Sequence, residues 1–348
     1  MVGAAPAPTT LSGVTAEPSA PPRPHEPELA GRFRKDPTQE AFPGQLNAAL
    51  APFEAERYEQ LEEELPTLHV VGAPRSGTTL LYQVIASGLE VGAVTNLVAA
   101  FWRAPVTGLR LARALGVERV HSSFDSSFGR THGIAEPHEF GYFWNHHLRY
   151  PDLGERGPRH EETIDWRALA LVIRNMARAA GAPMAFKPML LTWHLERMVE
   201  AMPRTCYVWI RRDRVATALS LLEMRRSLFG SLDAWASLRP LEPLDGEPPW
   251  RQVAAQVVLI ERTIAAAARR LGPDRVLEVA YDELCRDPGG VLERTRELLL
   301  AHGHAPQVLD AGLGPFAPAR GRGDALASEH GERVAEAIAH YEGVFERA

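Results

Sequence analysis

The stretch His69-Val70-Val71-Gly72-Ala73-Pro74-Arg75-Ser76-Gly77-Thr78-Thr79-Leu80-Leu81 decides how this chain folds. An apolar strand leads into a turn with two glycines, and a helix follows directly. Gly72 and Gly77 have the G-x-x-x-x-G spacing of a P-loop. Backbone N–H groups in such a turn, together with the N-terminus of the following helix, favour a bound anion. The stretch therefore predicts a phosphate-binding turn made by Arg75, Ser76, Gly77, Thr78, Thr79 and Leu80.

The lysine that follows the second glycine in nucleotide triphosphatases is absent, since Thr78 and Thr79 stand there. The cation lies inside the turn, at Arg75. An arginine beside hydroxyl groups can hold a phosphate or phosphosulfate by charge-assisted hydrogen bonds without a metal ion. Taken alone, the two glycines also fit an ordinary tight turn. The run Pro-Arg-Ser-Gly-Thr-Thr-Leu resembles the 5′-phosphosulfate loop of sulfotransferases that use 3′-phosphoadenosine 5′-phosphosulfate (PAPS), in a bacterial branch where arginine often replaces lysine.

A second segment has the form of another anion site. Residues 206–210 are apolar and β-rich, as in a buried parallel strand, and an arginine-rich run follows at 211–214. The resemblance pairs an arginine after this strand with a serine eight residues later, and both bind the 3′-phosphate. Arg212 and Ser220 meet that spacing. Ligands of open α/β sheets lie beyond the carboxyl ends of the strands, where both segments would meet. The alternative is that these arginines only solvate a strand end.

Two later segments extend the resemblance. A strand at 276–279 followed by Tyr281-Asp282-Glu283-Leu284 resembles the family's late strand, which places Tyr281 near the adenine. A buried core tyrosine fits that position equally well. Residues 316–324 partly match the loop that closes over the 3′-phosphate, and this makes Arg320 and Arg322 candidate anion ligands. Arginines in a solvated loop need no such role.

Candidate catalytic residues lie between the two anion segments. Lys187 matches a family lysine that contacts the sulfuryl group in transit, but Met189 stands where well-studied relatives have a histidine base. The base is therefore expected elsewhere. Some heparan-type and bacterial members of the family that this chain resembles use a glutamate base just ahead of aromatic residues, and this resemblance makes Glu139 the first choice. Glu136 and His138 are the alternatives. The same acidic residues also fit an ordinary helix N-terminus.

Alternating patterns predict the fold class. The 348 residues are 45% hydrophobic and 24% charged, which is enough for a sizeable core. β-rich runs alternate with helical patterns, which predicts an α/β fold with a P-loop-like parallel β-sheet flanked by helices on both faces, the sulfotransferase fold of the resemblance. The predicted strands are 68–72, 206–210 and 276–279, and the predicted helices include 46–65 and 166–180. Residues 1–40 are expected to be a disordered Pro/Ala-rich arm. Residues 41–348 are expected to form one sulfotransferase domain with an acceptor-site insertion at about 95–165.

Charge and cysteine content limit the partners. A formal net charge of -6 argues against nucleic acid as a partner. The chain has no run of 18 apolar residues for a membrane span and no signal-peptide pattern at its N-terminus. Its two cysteines, Cys206 and Cys285, suggest no disulfide framework, so a cytoplasmic location is expected. The Ala- and Arg-rich composition indicates a bacterial source, where enzymes of this resemblance often serve secondary metabolism.

The resemblance implies an enzyme that moves a sulfuryl group from PAPS to a hydroxyl or amine by in-line transfer, releasing adenosine 3′,5′-bisphosphate and needing no metal. The acceptor would be a small molecule, a glycan or a lipid. Two alternatives stay open: a P-loop small-molecule kinase, which lacks its Gly-Lys pair here, and a non-catalytic nucleotide-binding protein, which Met189 suggests.

Overall fold

A five-stranded, all-parallel sheet forms the centre of the computed structural model, which describes residues 29–34, 36–150, 159–240, 242, 244–310, 312–318 and 324–345. The strands are β1 (Thr67–Val71), β2 (Gly92–Ala93), β3 (Met184–Phe186), β4 (Thr205–Arg211) and β5 (Val276–Ala280). Their order across the sheet is β2-β3-β1-β4-β5. Every residue of β1 is buried, as expected for a strand with parallel neighbours on both sides and helices on both faces.

The register brings the carboxyl ends of the central strands together. Val71 at the end of β1 lies beside Trp209 in β4, and His69 lies beside Phe186 in β3. The chain that leaves β1, β3 and β4 therefore emerges at one edge of the sheet. The two predicted anion segments and Lys187 all follow these strands.

Helices cover both faces of the sheet. Their bounds are α1 (Pro37–Ala55), α2 (Thr78–Gly88), α3 (Asn96–Ala99), α4 (Pro105–Ala114), α5 (Gly141–Leu148), α6 (Trp166–Ala180), α7 (Leu195–Ala201), α8 (Arg214–Phe229), α9 (Pro249–Leu271), α10 (Tyr281–Arg286), α11 (Pro288–Ala301) and α12 (Asp324–Phe345). Short 3₁₀ turns lie at Gly31–Phe33, His160–Thr163 and Met189–Trp193. One core lies between the sheet and helices α2, α10 and α11. A larger core on the other face of the sheet includes residues of α5, α6, α7, α8, α9 and α12. The predicted fold class is confirmed.

The expected strands at 68–72, 206–210 and 276–279 match β1, β4 and β5 within one residue at each end. The helix predicted at 166–180 is also present as α6. Asp165 caps it by accepting a hydrogen bond from the Ala168 N–H, and Gly181, with φ of 70°, ends it.

The helix predicted at 46–65 is partly wrong, because α1 ends at Ala55. Beyond it, the Asn175 side chain accepts from the Glu59 N–H and donates to the Glu59 carbonyl, which holds this backbone outside any helix. Tyr58 and Leu65 still pack against the larger core from this non-helical segment. The apolar pattern that predicted a helix therefore reflects burial of these two side chains without helical backbone. α1 begins at Pro37, inside the arm expected to be disordered, whereas residues 1–28 of that arm lie outside the described residues.

The division into arm, domain and insertion stays a prediction. The segment at 95–165 contains α3, α4 and α5 and packs on α6 through α4. No helix within the described residues is both long and apolar enough to cross a membrane.

Candidate active site

The turn between β1 and α2 needs its two glycines. Gly77 has φ of 106° and is the N-cap residue of α2, which has no side-chain cap hydrogen bond there. A Cβ on Gly77 would lie 2.5 Å from the ring of Tyr281, and one on Gly72 would lie 2.7 Å from the Ile210 carbonyl oxygen. Because the first N–H groups of a helix have no intrahelical partner, the start of α2 is suited to an anion.

The arginine of the turn contacts the second anion segment. Arg75, at φ of 73°, donates from Nε to the Ser220 hydroxyl at 3.1 Å. Arg212 donates to the Arg75 carbonyl oxygen at 3.3 Å. Residues separated by 145 positions in the chain are therefore brought together at the edge of the sheet where the carboxyl ends of β1 and β4 lie.

Tyr281 packs against both Arg212 and the turn between β1 and α2. It is the first residue of α10, is nearly fully buried, and has the Arg212 guanidinium carbon 4.7 Å from its ring centre. Its ring also fills the space beside Gly77. Tyr281 thus supports Arg212 and the turn, and its expected contact with adenine stays a prediction.

Lys187 and Glu139 form an ion pair beside the start of α2. Lys187 follows β3, is 3% exposed, and also donates to the Thr79 hydroxyl at 3.2 Å. The Glu139 side chain is 37% exposed, so the pair has one buried and one accessible member. Burial lowers the pKa of Lys187, the Glu139 carboxylate opposes that shift, and Arg75 adds to it. The first-choice base and the candidate transfer lysine are therefore direct partners.

The other two candidate bases have different surroundings. The buried Glu136 carboxylate accepts from the Ser123 N–H at 2.5 Å, from the Ser122 hydroxyl at 3.1 Å and from Gln83 at 3.5 Å. His138 accepts at Nδ1 from the Phe140 N–H at 2.9 Å. Glu136 therefore has three donors converging on it, whereas Glu139 faces Lys187 and is accessible.

The remaining predicted residues fall into three groups. Ser76 is fully buried, and its hydroxyl has no hydrogen-bond partner among the described residues. Met189 begins a 3₁₀ turn and packs against the larger core. Arg320 and Arg322 lie outside the described residues.

Sequence reasoning missed two residues that contact this cluster, Phe128 and Gly129. The Arg75 guanidinium carbon lies 5.2 Å from the Phe128 ring centre, and the Gly129 backbone lies against Glu139. A phenylalanine and a glycine in a loop carry no spacing signal, so the sequence alone offers nothing to mark them.

The cluster as a whole combines a glycine turn at a helix N-terminus, the three cations Arg75, Arg212 and Lys187, and the accessible carboxylate of Glu139. A family model described as the Sulfotransferase family matches residues 66–299, more than half of the chain. This chain belongs to the sulfotransferase family. Sulfotransferases are transferase enzymes, and the match covers β1 to β5 and every described candidate residue above.

Curated relatives of this sulfotransferase come from Mycobacterium bovis and Mycobacterium tuberculosis. Both are named omega-hydroxy-beta-dihydromenaquinone-9 sulfotransferase Stf3 and are 21% identical over 245 residues. The match covers 66% of this chain and 61% of each relative, less than two thirds of their length.

Two solved structures share the fold of this sulfotransferase. Sulfotransferase STF9 from Mycobacterium avium has a TM-score of 0.51 at 14% identity, with 89% of this chain and 87% of that chain covered. Sulfotransferase STF1 from Mycobacterium tuberculosis H37Rv has a TM-score of 0.51 at 15% identity, with 87% and 86% covered. These likenesses establish the sulfotransferase fold.

Proposed function

We propose that this sulfotransferase moves a sulfuryl group from PAPS to an acceptor hydroxyl or amine and releases adenosine 3′,5′-bisphosphate. The observation that carries the proposal is the contact of Arg75 with Ser220 and Arg212. The turn after β1 and the segment after β4 therefore lie side by side, which supports binding of a nucleotide with phosphate groups at both its 5′ and 3′ positions. A P-loop kinase is not favoured, because the chain belongs to the sulfotransferase family.

The residues present fit such a donor. The uncapped start of α2 and the unpartnered Ser76 hydroxyl leave hydrogen-bond donors at the turn. The 5′-phosphosulfate would be held by Arg75, Ser76, Gly77, Thr78, Thr79 and Leu80. Arg212 and Ser220 would hold the 3′-phosphate, with Tyr281, Arg320 and Arg322 as further proposed contributors. When bound, PAPS supplies an activated sulfuryl group.

Lys187 and Glu139 carry the proposed chemistry. Glu139 accepts the proton of the acceptor hydroxyl, since its carboxylate is accessible, whereas that of Glu136 is already engaged by three donors. Lys187 and the hydroxyl of Thr78 or Thr79 stabilise the negative charge that develops on the leaving oxygen. The ion pair with Glu139 favours the charged form of Lys187 in spite of burial.

The proposed acceptor is a small molecule, a glycan or a lipid. The curated relatives are named for an omega-hydroxylated dihydromenaquinone, and this supports a hydroxyl group on a lipid-like molecule. A cytoplasmic location, a bacterial source and a role in secondary metabolism belong to the same proposal.

Isothermal titration tests the donor. Adenosine 3′,5′-bisphosphate, AMP, ADP and ATP are titrated without magnesium into wild type and Arg212→Ala. We expect the bisphosphate to bind wild type tightest, and the variant to lose about 10- to 100-fold of that affinity, since a charged hydrogen bond to phosphate contributes about 1.5–3 kcal/mol. AMP, which lacks the 3′-phosphate, should bind the variant almost as it binds wild type.

Arg211→Ala is the matched control. Arg211 directly precedes Arg212 in the chain but pairs with Glu278 at 2.6 Å. Its guanidinium lies near the ring of Trp209, a residue of the larger core on the other face of the sheet. Its replacement should leave bisphosphate affinity unchanged. Equal binding of the bisphosphate and AMP to wild type would contradict a PAPS donor, and a preference for ATP that needs magnesium would favour a kinase.

A further inference from the structure

The loop at residues 122–133, here called the roof loop, is fixed at both ends. Its start is held by Glu136, which accepts from Ser122 and Ser123. Its end is held by Asn96, whose side chain donates to the Gly133 carbonyl at 2.7 Å. Gln83 of α2 also donates to Glu136. Glu136 is therefore bonded to the helix that begins at the anion-binding turn. The position of the roof loop is thereby tied to that turn.

Phe128 of the roof loop covers the cation of the turn. Its ring centre lies 5.2 Å from the Arg75 guanidinium carbon, and Phe33 packs edge-on against it at 6.1 Å. Phe33 is held in turn, because Ala30 donates to the Leu228 carbonyl at 2.6 Å and Arg130 lies over its ring. Phe128 has φ of 53°, which is strained for an aromatic residue and persists only where surrounding contacts impose it.

Gly129 brings the roof loop onto the ion pair. With φ of 84°, its Cα is so close that a Cβ would lie 2.6 Å from the Glu139 carboxylate and 3.7 Å from the Thr79 hydroxyl. The dipeptide Phe128-Gly129 thus lies against Arg75 on one side and against Glu139 and Thr79 on the other. One loop contacts groups from the turn and from the proposed base.

We propose that Phe128 and Gly129 are positioning residues that keep water from the side of the Glu139–Lys187 pair that faces Arg75 and Thr79, while Glu139 stays open on its other side. This inference rests on the proposed function. In the reaction they would suppress, a water oxygen bonds to sulfur, the bond from sulfur to the bridging phosphosulfate oxygen breaks, and that oxygen keeps the electron pair. Glu139 takes the water proton, and the products are sulfate and adenosine 3′,5′-bisphosphate. An accessible carboxylate beside a cation would promote this wasteful step unless water is excluded.

Donor hydrolysis without any acceptor tests the inference. Sulfate release from saturating PAPS is compared in wild type and Phe128→Ala, with bisphosphate affinity measured in parallel by titration. We expect sulfate release to rise about fivefold or more, since water reaches the transfer point, while bisphosphate affinity changes less than about threefold. A merely structural role would lower binding and hydrolysis together. A hydrolysis rate at or below that of wild type in a variant that still binds the bisphosphate overturns the inference.

Two control variants and one substitute for Phe128→Ala complete the experiment. Phe128→Tyr keeps the ring and should behave as wild type. Phe53→Ala removes a phenylalanine that also packs under an arginine, Arg57, but on the exposed surface of α1, and should change neither quantity. If Phe128→Ala does not fold, Phe33→Ala is used instead, because it removes the ring that packs against Phe128. A sulfate release from PAPS that does not rise in Phe33→Ala then overturns the inference. Failure of wild type to bind the bisphosphate is a different result, which counts against the proposed function itself.

Discussion

At the scale of single residues, Lys187 stands out because the chain has just two lysines, Lys35 and Lys187, among 38 basic residues. A compact ammonium group titrates when buried, whereas an arginine guanidinium stays charged. The choice of lysine beside Glu139 therefore allows the protonation state of this cation to depend on its partner.

We predict that Glu139→Gln lowers the pKa of Lys187 further below its ordinary value, because the carboxylate is what opposes the effect of burial. Nitrogen-15 NMR of labelled lysine measures this directly, with Lys35→Arg assigning the two signals. Glu136→Gln serves as the control, since Glu136 bonds Ser122, Ser123 and Gln83. An unchanged Lys187 signal in Glu139→Gln would show that the two side chains are not coupled.

His69 in β1 gives a prediction for the dependence of stability on pH. Its imidazole is fully buried among the rings of Phe186, Tyr207 and Trp144, and neither nitrogen has a hydrogen-bond partner among the described residues. Burial lowers the pKa of His69 to about 3. The unfolded chain therefore binds a proton at a pH where the folded chain does not, and the contribution of His69 to stability is lost as pH falls below about 6.5.

Between pH 7 and pH 5, wild type should lose about 2 kcal/mol more of its free energy of unfolding than His69→Phe, which has no group to titrate there. Urea unfolding at both pH values measures the difference. Parallel losses in the two proteins would mean that His69 finds a partner or solvent.

At the scale of elements, the junction of β1 and α2 depends on Gly77. We predict that Gly77→Ala destabilises the protein by about 2–4 kcal/mol and abolishes bisphosphate binding, since the new methyl group would meet Tyr281 at 2.5 Å at a φ of 106°. Gly181→Ala at the end of α6 is the matched control. It also has positive φ, 70°, but open space around its Cβ, so it should cost about 1 kcal/mol and leave binding intact. Chemical denaturation and titration distinguish the two glycines, and equal effects on binding would refute a specific role for Gly77.

Elements also show how far the sequence could be interpreted. Strands β1, β4 and β5 could be predicted because buried parallel strands are continuous apolar runs, and the caps of α6 because Asp165 and Gly181 have local signals. The end of α1 could not be predicted, since it depends on Asn175, more than 100 residues away. The contacts of Arg212 and Ser220 with Arg75 agree with the motif spacing, and their binding role stays a prediction. The pairing of Glu139 with Lys187 and the contacts of Phe128 needed the fold, because no pattern of spacing encodes them.

At the scale of the whole molecule, Arg214 joins three helices of the larger core. From the start of α8 it pairs with the buried Glu261 of α9 at 2.7 Å and with Glu342 of α12. Burial raises the pKa of Glu261, and Arg214 opposes the shift. We predict that Glu261→Gln lowers the free energy of unfolding by about 2 kcal/mol, since a buried charge partner is lost while Glu342 remains.

Equilibrium urea unfolding measures the contribution of the Arg214–Glu261 ion pair to the free energy of unfolding. Glu293→Gln, which removes an exposed pair with Arg296 on α11, should cause no measurable change. Equal stability of wild type and Glu261→Gln would mean that apolar packing alone holds α12 on α8 and α9.

The position of β1 between β3 and β4 has a consequence for how the protein is made. As the chain leaves the ribosome, β1 emerges before either of its neighbours, and β4 follows more than a hundred residues later. The five residues of β1, all buried in the folded protein, have no neighbouring strand to pair with until then, and such long-range pairing is slow. The nascent chain is therefore expected to expose an aggregation-prone strand for much of its synthesis, and to need a chaperone until β4 pairs with β1.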